Sequence, residues 1–475
     1  MPPKPLTTDP LSFTVRTMSL NIWQATWTGM GAMIGAGIFV GLGIAARGGS
    51  HLVFAFGLAA LITFLSGLNR IQLTTYYLTA DPFFTDEILS STGQLSSKQD
   101  LPNANHFDPG FDPDIYGHSH GLLNSWLGFT AAWTLALAQA ATAATAVLGV
   151  SGYLLSLFAL NPILLIPIAL LTLLLLAFTL WKRPQMLDWF MRVSTVIGVL
   201  TLLFFIASGL LSISTFTTSS LNAALPPEVP TSPTLTQVFR AASLLVVAYA
   251  GYGRIARLSG QLHHPQQNLP KAIGLTLLTT LLLYAGVAIV AVEAVGTTVL
   301  SDAVEAYVAP LTIAAQQFAI PGGKAIVALG ASFTLLGMVS YLLRELSQVL
   351  WAMGQQQDLP KSLARLKPFQ ALPPFAVGLA VGMTAFIALA NDVGAIWTFA
   401  AFAFLLHSAI TNLAAFQLPE ADRLYPRWVA LGGVALCLFF ILWLDSRIWL
   451  MGAGLVVVGL VWRGINLWVA EQADE

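Results

Sequence analysis

The chain has 475 residues, of which 56% are hydrophobic and only 9% charged, with a mean hydropathy of +0.75. Soluble globular domains carry roughly a quarter charged residues, so this composition excludes that class and reads as a polytopic membrane protein. A formal net charge of −1 gives no basic surface for nucleic acid, and the single Cys437 has neither a disulfide partner nor a second thiol with which to hold a metal.

The first residues, MPPKPLTTDPLSF, form part of a tail over 1–21 and lack the charged, apolar and small-residue order of a cleaved signal peptide, so the first apolar segment is expected to stay in the protein. About 20 apolar residues cross roughly 30 Å of hydrocarbon. Segments of that kind, bounded by charges, prolines and polar clusters, predict spans at 22–46, 52–74, 122–157, 162–181 and 186–211. A second group follows at 235–258, 272–295, 325–353, 375–390, 393–416, 428–444 and 448–468. The expectation is an all-α membrane protein of about twelve transmembrane helices, ending in a short tail over 469–475.

Basic residues give the orientation, because short cytoplasmic loops retain positive charge. With the amino terminus inside, Lys182, Arg183, Arg257, Lys271, Lys361, Arg365, Lys367, Arg423 and Arg427 all fall in inward loops, whereas the outward loops hold Arg47, Lys324 and Arg447. Both termini are therefore expected in the cytoplasm, with the protein in the plasma (inner) membrane and lipid as its surroundings.

One connection is long, a polar and acidic cytoplasmic loop over 77–120. It contains HFDPGFDPDIYGHSH, in which His106, Asp108, Asp112, Asp114, His118 and His120 are ligand types for a divalent metal. Their spacing matches no defined motif, and aspartates beside proline favour turns. The reading is a solvated loop without a metal. The remainder of the chain shows no HExxH and no GxSxG, so neither an enzyme nor a cofactor is expected. Asp188 and Arg192, four apart at the start of the fifth span, read as an ordinary intrahelical pair.

The first span carries GAMIGAGIF over 31–39, and glycine is among the weakest helix formers. Gly31 with Gly35, and Gly37 with Gly41, have the small-xxx-small spacing that lets helices pack closely. Five spans later AYAGYGRIA, at 248–256, repeats the pattern. Because five is odd, the two interrupted helices occupy inverted positions, which points to a transporter of inverted repeats, 22–213 and 235–416, with 427–468 as two added helices. An unwound stretch after Gly35 aims amides at a carboxylate, and carbonyls ending the preceding half suit an ammonium. Charged residues expected inside spans are Arg254, Arg344 and Glu345. Arg254 either snorkels to the interface or pairs with Glu345 as an inner gate.

GAMIGAGIFVGLG at 31–43, AYAGYGRIARLSGQLHHPQQNLPKAI at 248–273 and VLWAMGQQQDLPKSLARLKP at 349–368 resemble the first, sixth and eighth helices of the amino acid–polyamine–organocation superfamily of permeases. The resemblance implies the five-plus-five inverted repeat of the leucine-transporter type with broken first and sixth helices. It also implies secondary transport of an amino acid or related organic amine by alternating access. The implied substrate contacts are backbone groups of Ile34, Gly35, Ala36 and Gly37, completed by carbonyls near Ala248 and Tyr249. Gly251 and Gly253 would supply flexibility, and Tyr249 or Tyr252 an aromatic gate. The chain departs from the family pattern at Gly253, where an acid is usual, at Gln348, where many members have arginine, and at Gly198, where many proton-coupled members have lysine. Proton or sodium coupling is thus left open, and the alternative class is a transporter-fold membrane sensor or binding protein without coupled transport.

Overall fold

A computed structural model of the protein describes residues 20–46, 51–80, 122–222, 235–258, 262, 265–365 and 372–474. These residues are helical, joined by short turns, and the one β contact among them is an isolated bridge between Leu20 and Leu262. The acidic loop and its histidines lie outside the described residues.

Helix α1 (Ile22–Met33) starts at a capping box, in which the Asn21 amide donates to Gln24 Oε1 at 3.0 Å. It stops at Ile34, whose ψ of 110° is extended, and resumes through a π-helical turn, Gly37–Gly41, into α2 (Leu42–Ala46) with a bend of 46°. Then come α3 (Leu52–Ala80), α4 (Ser125–Phe158), α5 (Leu165–Lys182) and α6 (Pro184–Asn222). The second interrupted segment is α7 (Leu235–Leu245), a 3-10 turn at Val246–Tyr249, and α8 (Tyr252–Arg257). The chain continues with α9 (Pro265–Tyr307), α10 (Pro310–Ala315), α11 (Gly323–Gln355), α12 (Pro374–Ala388), α13 (Val393–Phe416), α14 (Arg427–Ile441) and α15 (Ser446–Asp474).

Among the described residues, eight helices are long and apolar enough to cross a membrane, and the bent pair of α1 with the 37–46 segment makes nine. All twelve expected spans fall on helical stretches, with shifted ends. Helices α12 and α14 have 15 residues each, about 22 Å at 1.5 Å per residue, which is short for a bilayer core. In α9 the expected end at 295 coincides with Gly296, whose φ of 78° interrupts the helix before it continues to Tyr307. Helices α3, α6 and α15 overrun their expected limits, so 469–474 of the expected tail is helical.

Burial sorts the helices into a core and a shell. The apolar windows of α4 and α13 are 78% and 83% buried, against 17% for the 162–182 helical segment containing α5 and 22% for α15. Outward faces of the shell carry Leu171, Leu174 and Phe178 on α5 and Met451, Val458 and Val461 on α15. In water such faces would be large apolar patches; in a bilayer they are the lipid contact. Helix α15 is tied to the rest by an ion pair 2.6 Å long between Arg463 and Asp358, both 3% exposed at the side chain. Asn466 donates to the Asp358 carbonyl, and Arg463 also donates to the Ser125 carbonyl and lies over the ring of Trp126.

Candidate permease site at the paired helix breaks

The two interruptions meet each other. A Cβ placed on Gly37 would lie 2.5 Å from the Cα of Ala248, and one on Gly251 would lie 2.5 Å from the carbonyl carbon and oxygen of Ala32. Backbone thus abuts backbone at two points, an approach that any larger residue would block. These contacts set the stretch from Ile34 to Gly37 beside the one from Ala248 to Gly251, through Gly37 against Ala248 and Gly251 against Ala32.

Breaking a helix at membrane depth frees polar backbone groups, which hydrocarbon leaves unsatisfied. Large buried side chains from other helices take up the carbonyls. Tyr284 on α9 donates to the Met33 carbonyl at 2.7 Å and reaches the Ala248 carbonyl at 3.5 Å. Tyr153 on α4 donates to Phe39 at 2.7 Å, and Trp397 on α13 donates to Leu244 at 2.9 Å. All three side chains are fully buried. The amide of Ala36 is served differently: it points at the thioether of Met338 on α11, 2.9 Å away. A thioether is a weak acceptor, so this donor is paired with a poor partner. Met338 covers Gly35 as well, its Cγ standing 3.0 Å from a Cβ there.

Tyr249 is fully buried against Phe56 and Tyr284, with centroids 6.4 and 5.6 Å away, and its hydroxyl has no hydrogen-bond partner among the described residues. A buried phenol normally finds one. Tyr252 is equally buried and packs edge-on against Phe404. Gly198 on α6 faces the same break: a Cβ there would meet Thr334 Cγ2 at 2.7 Å and Ile34 Cγ2 at 3.3 Å. Gly198 thus borders the first break, and close packing fills the space beside it.

Arg254 lies with its guanidinium 4.9 Å from the ring centroid of Tyr341, one helical turn from the buried Glu345 on α11. Gly253 stands outside the backbone contact, facing Arg70 on α3 instead. Sequence reasoning missed Met338, Tyr284, Tyr153, Trp397 and Arg70. Arg70 alone carried a signal, a charge inside an apolar run.

The family model described as amino acid permease matches residues 115–462, about three quarters of the chain. The chain belongs to the amino acid permease family. This permease is 26% identical, over 462 residues, to uncharacterized transporters of Mycobacterium tuberculosis and Mycobacterium bovis, covering 96% of the chain and 93% of each relative. An uncharacterized protein of Methanocaldococcus jannaschii is 23% identical over 376 residues, 78% of this permease and 76% of that protein. The mycobacterial matches take in the first broken helix, which precedes the residues matched by the family model. Such a transporter is an integral, multi-pass membrane protein with a small-molecule substrate.

Proposed function

We propose that the protein is a secondary permease built on a five-plus-five inverted repeat, and that it moves an amino acid or related organic amine across the plasma membrane by alternating access. The observation that carries this reading is the Ala36 amide held by the Met338 thioether at the point where the two broken helices touch. A substrate carboxylate is a far stronger acceptor than sulfur and displaces it with a charge-assisted bond. The unpartnered Tyr249 hydroxyl, on the opposite break, supplies a second donor or an acceptor for the ammonium. Because Tyr284 already occupies the Met33 carbonyl, the amine competes for carbonyls while the carboxylate does not. Recognition is therefore led by the carboxylate.

A cleft of about 380 Å³ at the α2 end supports the same substrate class. Its lining includes Ser301, Glu305, Asn391 and Asp392, and it lies on the face expected to be outward. Two carboxylates at an entrance raise the local concentration of a cationic amine. The relatives' description as transporters favours transport over a sensing role.

The experiment is thermal unfolding of the detergent-purified protein against a panel of amino acids and polyamines, followed by flux of the responders in proteoliposomes. Ligands that bind the folded state raise its midpoint. Stabilisation by a few amino acids, abolished in Gly35→Leu, supports the reading. No stabilisation by any panel member removes the substrate class, and stabilisation without flux removes transport.

A further inference from the structure

The stretch 162–222, which contains α5 and α6, carries four charged residues, all between 182 and 192: Lys182, Arg183, Asp188 and Arg192. Three cations against one acid leave the turn between the two helices with a net charge of +2. Lys182, Arg183 and Arg192 are exposed. Elsewhere among the described residues, Arg463 pairs with Asp358, and Arg423 and Arg427 with Glu420. The contacts of Lys182 and Arg183 are with neutral groups: Lys182 Nζ lies 4.7 Å from the ring centroid of Trp181, and Arg183 Nη1 reaches the Met186 thioether at 3.8 Å. Neither contact supplies negative charge.

The helix faces that run away from this turn are apolar and point outward. On α5, Leu171, Leu174, Phe178 and Trp181 follow the three- and four-residue spacing of one face, and each is more than half exposed. On α6, Met186, Trp189, Val196 and Leu200 are exposed in the same way, and Arg192 falls on that face between Trp189 and Val196. The rise from Leu171 to Trp181 is about 15 Å at 1.5 Å per residue, half of a hydrocarbon core of roughly 30 Å and so the depth of one leaflet. Trp181 and Trp189 mark the headgroup level, where amphipathic rings settle. A cation on a lipid-facing stripe, as Arg192 is, extends its side chain back to that level to meet an anion.

We infer that the α5–α6 turn binds an anionic phospholipid, its headgroup held by Lys182, Arg183 and Arg192 and its acyl chains laid along the outward faces of α5 and α6. The match is twofold. Positive charge at headgroup level meets the anionic cytoplasmic leaflet, the side on which this turn is expected, and the apolar stripes have the depth of the chains. Bound lipid anchors the helix on which the first break rests, because Thr195, the residue that closes over Gly31 of α1, lies three positions beyond Arg192. The inference does not depend on which substrate is carried.

The test uses the full-length protein, stripped of lipid by exchange into a neutral detergent. Its unfolding midpoint is followed against dioleoylphosphatidylglycerol, with dioleoylphosphatidylcholine matching the chains and inorganic phosphate matching the anion, all at constant ionic strength. The wild-type midpoint is expected to rise by several degrees with phosphatidylglycerol, to saturate at a few lipids per protein, and to ignore both controls. The triple variant Lys182→Gln/Arg183→Gln/Arg192→Gln is expected to lose the response. Arg192→Gln alone is expected to raise the half-saturating concentration several-fold, and it tests the site even if the triple variant does not fold. Lys361→Gln/Arg365→Gln removes two exposed cations from another loop expected to face inward and is expected to keep the wild-type response. Indifference to phosphatidylglycerol, an equal response to phosphatidylcholine, or a response that survives the triple variant overturns the inference. So does an equal loss in the Lys361/Arg365 variant, which would assign the effect to overall charge. A response to phosphate alone would make the turn a free-anion site, and a shift to dimer on size exclusion as lipid is added would make these faces an interface between copies; either result also overturns it.

Discussion

The backbone amide of Ala36 donates to the thioether of Met338 across 302 residues of sequence. The contact joins the first broken helix to α11 through a weak acceptor, and substitution at 338 separates its two roles of covering the break and pairing the amide. Met338→Leu keeps volume, a change that ordinarily costs under about 1.5 kcal/mol, yet leaves the amide unpaired. The ligand-free protein is expected to unfold at a slightly lower temperature while substrate-induced stabilisation grows, since the ligand no longer displaces sulfur. An unchanged ligand response would place the substrate elsewhere.

Tyr284 holds carbonyls from both breaks. Tyr284→Phe keeps the ring and deletes the donor, leaving a buried carbonyl unsatisfied at a cost of about 1–3 kcal/mol. The unfolding midpoint is expected to fall, and uptake in proteoliposomes to fall with it. Tyr153→Phe, at the Phe39 carbonyl, is expected to act in the same direction. Full uptake in both variants would show that these carbonyls tolerate being left alone.

Gly251 and Gly57 make a matched pair. A methyl on Gly251 strikes the Ala32 backbone, which cannot move aside as a flexible side chain does, whereas one on Gly57 in α3 finds nothing within 4 Å. Gly251→Ala is expected to abolish uptake and lower the midpoint. Gly57→Ala is expected to be neutral or stabilising by up to about 1 kcal/mol. Comparable behaviour of the two would refute the close contact between breaks.

Asp358 gives a pH dependence. Burial pushes its carboxyl up to about 6, outweighing the opposite pull of Arg463. A carboxyl raised above its unfolded value holds more protons in the folded state between the two values, so stability falls as pH rises through that interval. The unfolding free energy is expected to decline between about pH 4 and pH 6 by an amount of order 1–3 kcal/mol, read as a falling unfolding midpoint. Asp358→Asn, which fixes the neutral form, is expected to lose that part of the slope. An identical slope in the variant would assign the titration to another group.

Much of the architecture was legible because hydrocarbon imposes length and apolarity on every span. The expected span at 393–416 coincides with α13, whose cap Asp392 is polar and whose end runs into Pro419. The breaks were legible for a related reason: Gly35, Gly37 and Gly251 are poor helix formers at a depth where only helices survive unaided. What satisfies the breaks was not. A tyrosine that caps a distant carbonyl and one that merely packs look alike in one dimension, so Tyr153, Tyr284 and Tyr249 differ only once the helices are assembled. Met338 reads as filler in an apolar run, and its proximity to Ala36 depends on the placement of α11. Arg254 was selected for its charge, but the structure sets it against Tyr341 through a cation–π contact that no spacing rule foresees.

The carbonyls at Met33, Phe39 and Leu244 are bonded to buried phenol and indole groups of α9, α4 and α13. Any rearrangement of the two breaks must therefore carry those three helices along or first release their hold, which couples local unwinding to movement of the surrounding bundle.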